Sequence, residues 1–388
     1  MIERPTDLEK LSTLMTSFPV TAILGARQTC KTTLARQFDS EQFFDLENPR
    51  DTALLQQPQL ALEPLKGLII LDEIQRIPRI FPLLRYLVDT RKEQHYLILG
   101  SASRDLIQQS AESLAGRIAY HELDGFRLTD VGAKNWRGLW MRGGLPLSYL
   151  AKTDEQSHLW LEQYIATFLE RDIPQLGVNI PAATLRRFWT MLSHYHGQVM
   201  NYAEFARSFG VSDMTIRRYL DILAGTFMVR LLQPWHTNIG KRLVKRPKLY
   251  FRDTGLFHAL LAIRSERDLT AHHKLGASWE GFALEVAARA IGKRNEELYF
   301  WATHTGAEVD LFWQEHGRNW AVEIKYADAP RLTASMTNAT KDLELTHLWV
   351  VYPGDQEYPI AKNISALPLK KIGSVWDYGV SENVDTLL

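Results

Sequence analysis

The chain has 388 residues, 45% hydrophobic and 23% charged, with 45 basic and 45 acidic side chains that cancel. This is ordinary soluble, globular composition, long enough for two or three domains with cores of their own, and it carries no global charge that would select nucleic acid or a membrane. No apolar run approaches the ~18 residues of a membrane span, the first residues lack the basic-then-apolar pattern of a secretory signal, and the single cysteine excludes an intrachain disulfide framework or a Cys-rich zinc site. A cytoplasmic location without membrane partners is the expectation.

In chain order, residues 8–18 have the spacing of a short helix, and the apolar run 18–24 reads as a strand. The stretch Gly25, Ala26, Arg27, Gln28, Thr29, Cys30, Lys31, Thr32 and Thr33 then precedes a second helical segment at 34–38. Strand, loop and helix in this order make a phosphate-binding P-loop, G-x-x-x-x-G-K-[ST], with one departure: Cys30 stands at the second glycine. In such a loop, backbone N–H groups wrap phosphates at a helix N-terminus. Lys31 reaches the β- and γ-phosphates, and the Thr32 hydroxyl holds Mg²⁺. Glycine is favoured where φ is positive or a ligand approaches closely, so Cys30 strains the backbone or crowds the phosphate. A helix N-terminus would also depress the pKa of this thiol and make it reactive; the alternative is a tolerated small residue.

Residues 42–46 read as a second strand and 54–65 as a helix. The run Gly67-Leu-Ile-Ile-Leu-Asp-Glu-Ile-Gln75 has the pattern of a buried parallel strand ending in acids. Ligands bind at that end of open α/β sheets. Asp72 is placed to support Mg²⁺ and Glu73 to orient or activate the attacking water; a pair capping the next helix is the structural alternative. A helix over 80–91 and a buried strand over 95–100 follow, the strand ending in Ser101-Ala-Ser103. A serine here serves as a sensor of the γ-phosphate, or simply as a turn or cap residue. Arg117, before the strand 118–123, is a candidate phosphate-facing arginine in cis or in trans, or a surface ion pair. The alternation over 1–130 predicts an α/β domain with a mostly parallel sheet covered on both faces.

From 136 to about 180 the pattern is helical and aromatic. Residues 202–209 and 214–223, separated by Gly210-Val211 and Ser212-Asp213, have helix-turn-helix spacing, and 227–232 with 248–251 read as the strands of a wing. Residues 181–260 hold 12 Lys or Arg against 4 Asp or Glu. Thr215, Arg217 and Arg218 at the start of the second helix suit the DNA major groove; a packing or protein-contact module with a solvated basic face is the alternative.

The last stretch opens on an amphipathic helix over 279–291 carrying Glu280. Strands follow at 297–301, at 306–313 with Asp310, and at 319–325 with Glu323 and Lys325, whose side chains share one strand face. Two or three carboxylates and a lysine converging on one spot form a Mg²⁺ site for phosphodiester hydrolysis, in which Glu280, Asp310 and Glu323 hold the metal and Lys325 orients water or stabilises charge. A structural ion-pair cluster is the alternative. Residues 347–352 supply a further core strand.

Gly25 to Thr32, Leu71-Asp-Glu-Ile-Gln75, Leu114-Ala-Gly-Arg117, Arg142-Gly-Gly-Leu-Pro146, Asp253-Thr-Gly-Leu256 and Glu308-Val-Asp310 with Glu323-Ile-Lys325 together resemble the recurring blocks of a group of prokaryotic AAA-type ATPases. The resemblance covers nearly the whole chain. It implies an ATPase domain over 1–135, a helical and winged-helix region over 136–270, and an α/β domain of restriction-endonuclease-like (PD-(D/E)xK-type) fold over 271–388. The expected function is ATP binding and hydrolysis coupled to a DNA-linked module, with ATP and Mg²⁺ as cofactors and with DNA, a protein partner or a second copy as candidate partners. A metal-dependent nuclease with a regulatory P-loop domain, and a nucleotide-gated scaffold without catalysis, are the alternatives.

Overall fold

The computed structural model describes residues 2–101, 110, 112–175, 180–236, 244–304 and 306–374. The chain divides into two compact units. Unit 1 is Met1–Phe126 with Arg218–Met228, and unit 2 is Arg127–Arg217 with Val229–Leu388. Among the described residues, no helix is long and apolar enough to cross a membrane.

Unit 1 is built on β1 (Val20–Gly25), β2 (Gln42–Asp45), β3 (Gly67–Asp72), β4 (Gln94–Ser101) and β5 (Ile118–Glu122), in the order β2-β3-β4-β1-β5. Every pairing is parallel. A parallel strand buried on both faces needs apolar residues at successive positions, which is why these segments read as unbroken apolar runs. Ile23, Ile70, Leu97 and Leu99 pack on one face with Leu11 and Leu34. Ala22, Leu24, Leu71 and Ile98 pack on the other with Phe81, Leu84 and Leu87. The single helix expected over 54–65 is instead two, Pro49–Leu54 and Pro58–Leu62. Pro58 has no N–H to continue a helix but is well suited to begin one. The phosphate-loop helix is a bare five residues, Lys31–Ala35.

Unit 2 carries a nine-stranded sheet. Its strands are β6 (Gln198–Val199), β7 (Val229–Pro234), β8 (Lys248–Phe251), β9 (Tyr299–Ala302), β10 (Glu308–Glu315), β11 (Arg318–Ile324), β12 (Leu345–Tyr352), β13 (Tyr358–Ala361) and β14 (Ile364–Pro368). They are ordered β13-β14-β12-β11-β10-β9-β7-β8-β6. The sheet runs across the division expected near 270: β7 pairs in parallel with β9, Gln233 opposite Tyr299. The strands read from sequence as a wing therefore continue the sheet of the C-terminal region. The helix Leu275–Ile291 is buried on nearly all sides. Its Trp279 meets Trp136 and Trp140 edge to face at 5.5 and 5.4 Å between ring centres.

Candidate nucleotide site and carboxylate cluster

β1 delivers Gly25 to the carboxyl end of the sheet of unit 1. A Cβ there would lie 2.1 Å from the Leu123 carbonyl oxygen, so no larger residue fits without moving the backbone after β5. Gln28 and Cys30 have φ of 62° and 66°. The second glycine position thus requires a left-handed backbone, and Cys30 adopts it at a cost of about 1–3 kcal/mol. Lys31 is buried, its Nζ donating to the Gly25 and Ala26 carbonyls at 3.0 and 2.8 Å. Thr29 Oγ1 donates to the same Ala26 oxygen at 2.9 Å. Arg27 pairs with Glu47 at 3.4 Å.

The expected metal-binding partners meet. Thr32 Oγ1 donates to Asp72 Oδ2 at 2.6 Å, while Asp72 Oδ1 accepts the Glu73 N–H at 2.9 Å. A hydroxyl and a carboxylate side by side are hard oxygen donors, the chemistry Mg²⁺ takes. Glu73 has φ of 54° and accepts from the Gln75 side-chain amide. Burial lowers the Lys31 pKa to about 8, against the pull of Glu73 and Asp72. Burial likewise raises Asp72 and Glu73. It also raises the Cys30 thiol, with Arg4, Thr33 and Lys31 opposing. Burial thus opposes the activation that a helix N-terminus would give Cys30.

β4 places Ser101 opposite Gly25 in register; Ser103 lies outside the described residues. Arg117 is elsewhere. Its carbonyl accepts the N–H of Val20, at the start of β1, and its guanidinium grips Asp89 at 2.7 and 2.9 Å. It stands at the end of the parallel sheet opposite the P-loop, so it does not face the phosphates of its own loop.

Sequence reading missed Arg4. It is buried, pairs with Asp7 at 2.9 Å, and donates to the carbonyls of Asp124 at 2.9 Å and Thr29 at 3.4 Å. Asp7 in turn meets His121 Nε2 at 2.9 Å. The helix Pro5–Ser17 thereby ties the P-loop to the segment after β5 through one guanidinium. Nothing in the local sequence around Arg4 shows this, because its partners lie 25 and 120 residues away.

In unit 2, Glu280, Asp310, Glu323 and Lys325 do come together, with company. Lys325 Nζ pairs with Glu323 Oε1 at 2.6 Å, and Asp310 Oδ2 accepts the Ile324 N–H at 2.8 Å. Lys248 of β8 bonds Glu308, and its Nζ lies 3.5 Å from Asp310 and 3.7 Å from Glu280. Tyr250, two residues along β8, donates to Glu280 Oε1 at 2.7 Å. Burial, with Asp310 second, raises Glu280 to about 7 and Glu323 to about 8. Among the described residues no group of three His, Cys, Asp or Glu is spaced to hold a metal ion. The Mg²⁺ site expected from Glu280, Asp310 and Glu323 does not fit the residues as they stand, because an ammonium lies among them.

Two of the recurring blocks meet in unit 2. Asp253 accepts the N–H groups of Gly144, Leu145 and Leu256 at 2.7, 3.2 and 3.0 Å. A Cβ on Gly143 would lie 2.1 Å from the Asp253 carboxylate. This is an internal clasp.

Residues 17–131 match the AAA domain family. Residues 133–267 and 275–372 match two domains of unknown function, DUF8612 and DUF4143. Two mycobacterial proteins described as uncharacterized, Rv2008c of Mycobacterium tuberculosis and Mb2031c of Mycobacterium bovis, are each 48% identical over 376 residues, spanning 96% of this chain and 85% of their own. The chain belongs to their family. Its P-loop, Asp72 and Glu73 all fall inside the AAA domain, which makes unit 1 an AAA-type P-loop domain. A solved Walker-type ATPase, paby2304 of Pyrococcus abyssi, is 13% identical, with 67% of this chain and 96% of that one aligned at a TM-score of 0.43.

Proposed function

We propose that the chain binds ATP with Mg²⁺ at the P-loop of unit 1 and hydrolyses it. The observation that carries this reading is the Thr32–Asp72 hydrogen bond of 2.6 Å beside a buried Lys31. Two residues about 40 positions apart are brought together as hard oxygen donors at the mouth of a phosphate loop. Mg²⁺, when bound, neutralises phosphate charge. Thr32 and Asp72 hold it, and the loop N–H groups with Lys31 hold the β- and γ-phosphates. On binding, Lys31 exchanges the Gly25 and Ala26 carbonyls for phosphate oxygens. Glu73 leaves its Gln75 partner to take the proton of the attacking water, and Ser101 senses the phosphate from the neighbouring strand end. The test is turnover by Glu73→Gln against the native chain. The proposal requires retained ATP binding with hydrolysis reduced at least tenfold; unchanged hydrolysis would remove Glu73 from its role.

The proposal extends to unit 2 as the module that nucleotide state controls, with DNA as its candidate ligand. Support comes from the order of the helices Ala182–His194 and Tyr202–Phe209, then Asp213–Gly225, whose residues from Arg218 on belong to unit 1, then β7 and β8, and from the basic excess over 181–260. Arg217 is exposed and lies over the Tyr202 ring at 3.9 Å. Fluorescence anisotropy with a labelled duplex tests it: binding that weakens with salt and in Arg217→Ala supports DNA, and no binding with or without ATP leaves the scaffold reading, with a protein partner or a second copy as ligand.

A further inference from the structure

The phosphate loop and the turn that carries Glu73 are joined through a third segment. Glu47 stands two residues past the end of β2, on the sheet end that bears Gly25 and Asp72, since Asp45 pairs in register with Asp72. Its backbone is fixed there. The Glu47 N–H donates to Asp45 Oδ1 at 2.9 Å, the Asn48 N–H to the Asp45 carbonyl at 2.9 Å, and the Leu46 N–H to the Asp72 carbonyl at 3.3 Å. One oxygen of its side chain meets two guanidiniums: Arg27 of the loop lies 3.4 Å from Glu47 Oε1, and Arg76 lies 3.2 Å from the same atom. Arg76 closes the 3₁₀ turn Ile74–Arg76, of which Glu73 is the N-cap. The Arg76 N–H donates to the Glu73 carbonyl and the Ile77 N–H to that of Ile74, both at 3.0 Å, so the turn moves as one piece. Ile74 is buried in the core of unit 1 and makes the pivot, with Glu73 at one end of the turn and Arg76 at the other. Beside burial, Arg27 is among the charges that lower the pKa of Lys31, and Glu47 among those that raise that of Glu73. The bridge is therefore within electrostatic reach of both residues.

We propose that Glu47 is a positioning residue for the hydrolysis assigned to unit 1: by bridging Arg27 and Arg76 it ties the turn that carries Glu73 to the phosphate loop and sets where the Glu73 carboxylate stands. It acts through Arg76 and not on the nucleotide. The Glu47 side chain is 42% exposed and that of Arg76 43%, and an exposed ion pair shifts an equilibrium by at most about fivefold. Two such pairs on one carboxylate make a tether that a three-residue turn feels and the fold as a whole does not. The proposal rests on the ATPase reading for the use made of Glu73; the tether itself is tested without nucleotide.

The experiment compares the native chain, Glu47→Gln, Arg76→Gln and the double variant, all full length. Amide hydrogen exchange without nucleotide reads the tether at Ile77, whose N–H closes the turn. The proposal requires protection there to fall about three- to tenfold in all three variants. Protection in β1 and β5 stays at the native level, since a general loss of stability would lower it in those strands as well. Steady-state turnover and ATP binding then read the use of the tether. In Glu47→Gln, kcat falls about three- to tenfold while ATP affinity stays within about twofold of native, and the double variant is no slower than Glu47→Gln, because the two side chains act through each other. Unchanged protection at Ile77 overturns the proposal, as does lost protection that leaves kcat at the native value, or a loss that lies wholly in ATP affinity. Absence of turnover by the native chain refutes the ATPase reading alone, and the exchange comparison then decides the tether.

Discussion

Replacing Arg4 by Met tests whether the phosphate loop is braced from the N-terminal helix. The guanidinium is the ion-pair partner of Asp7 and the donor to the carbonyls of Thr29, Asp124 and Gly125 at 3.4, 2.9 and 3.3 Å. Removing one partner of a buried ion pair costs about 3–5 kcal/mol, because the other charge is left uncompensated. His121 still meets Asp7 at 2.9 Å, which places the expected loss near the lower limit, about 3 kcal/mol. Adding Asp7→Asn removes the orphaned charge, so the double variant should recover about 1–3 kcal/mol relative to Arg4→Met. Every tryptophan lies at or after Trp136 and outside 218–228, so tryptophan fluorescence follows unit 2 alone. Urea unfolding is therefore read by amide hydrogen exchange in β1 and β5. Thr29 also sits in the loop, so ATP affinity should fall with Arg4→Met and return in part with the double variant. A loss below about 1 kcal/mol, or a double variant worse than the single by the full cost of Asp7→Asn, would refute the bracing argument.

Cys30→Gly should stabilise unit 1 by about 1 kcal/mol, since relief of the left-handed conformation exceeds the entropy that glycine adds to the unfolded chain; hydrogen exchange measures it, and a loss of that size contradicts the strain. Gly143→Ala should cost unit 2 at least about 3 kcal/mol, because φ is 74° and the new Cβ meets the Asp253 carboxylate. Gly276→Ala, with nothing within 4 Å, should stay within about 1 kcal/mol of native, and equal effects at the two sites would sink the clasp. His258 donates from Nδ1 to the Met141 carbonyl and accepts at Nε2 from Ser278, and burial holds its pKa down to about 4. Its folded-state pKa lies below the unfolded value, so its contribution is complete above about pH 6.5 and is lost as pH falls towards 4, at about 1.4 kcal/mol per pH unit. Fluorescence-detected unfolding of His258→Gln should show a shallower acid slope than native by about one proton; parallel slopes contradict a neutral His258.

The parallel sheet of unit 1 was legible because strands buried on both faces cannot alternate, and 67–72 and 94–101 show it plainly. Gly25, Lys31, Thr32 and Asp72 were legible as spacing, and the left-handed backbone at Cys30 followed from the motif's glycine. What escaped was set by partners distant in sequence. Arg117 was drawn to Asp89 at the other end of the sheet, and Arg4 acts on a loop 25 residues away. The helix expected over 54–65 failed locally, at Pro58. In unit 2, alternation alone was enough to put Glu323 and Lys325 on one strand face. Lys248 looked like one basic residue among many, and the nine-stranded sheet is what carries it into the acids. The same sheet, through β7 and β9, runs across the division read near 270.

The most direct measurement is a calorimetric titration of Mg²⁺-ATP into the native chain and into Lys31→Ala. The account predicts binding to one site in the native chain, weakened at least tenfold by loss of the ammonium and abolished by chelation of Mg²⁺. Equal affinity in the two proteins, or no heat from the native chain while Cys30→Gly binds, would contradict it.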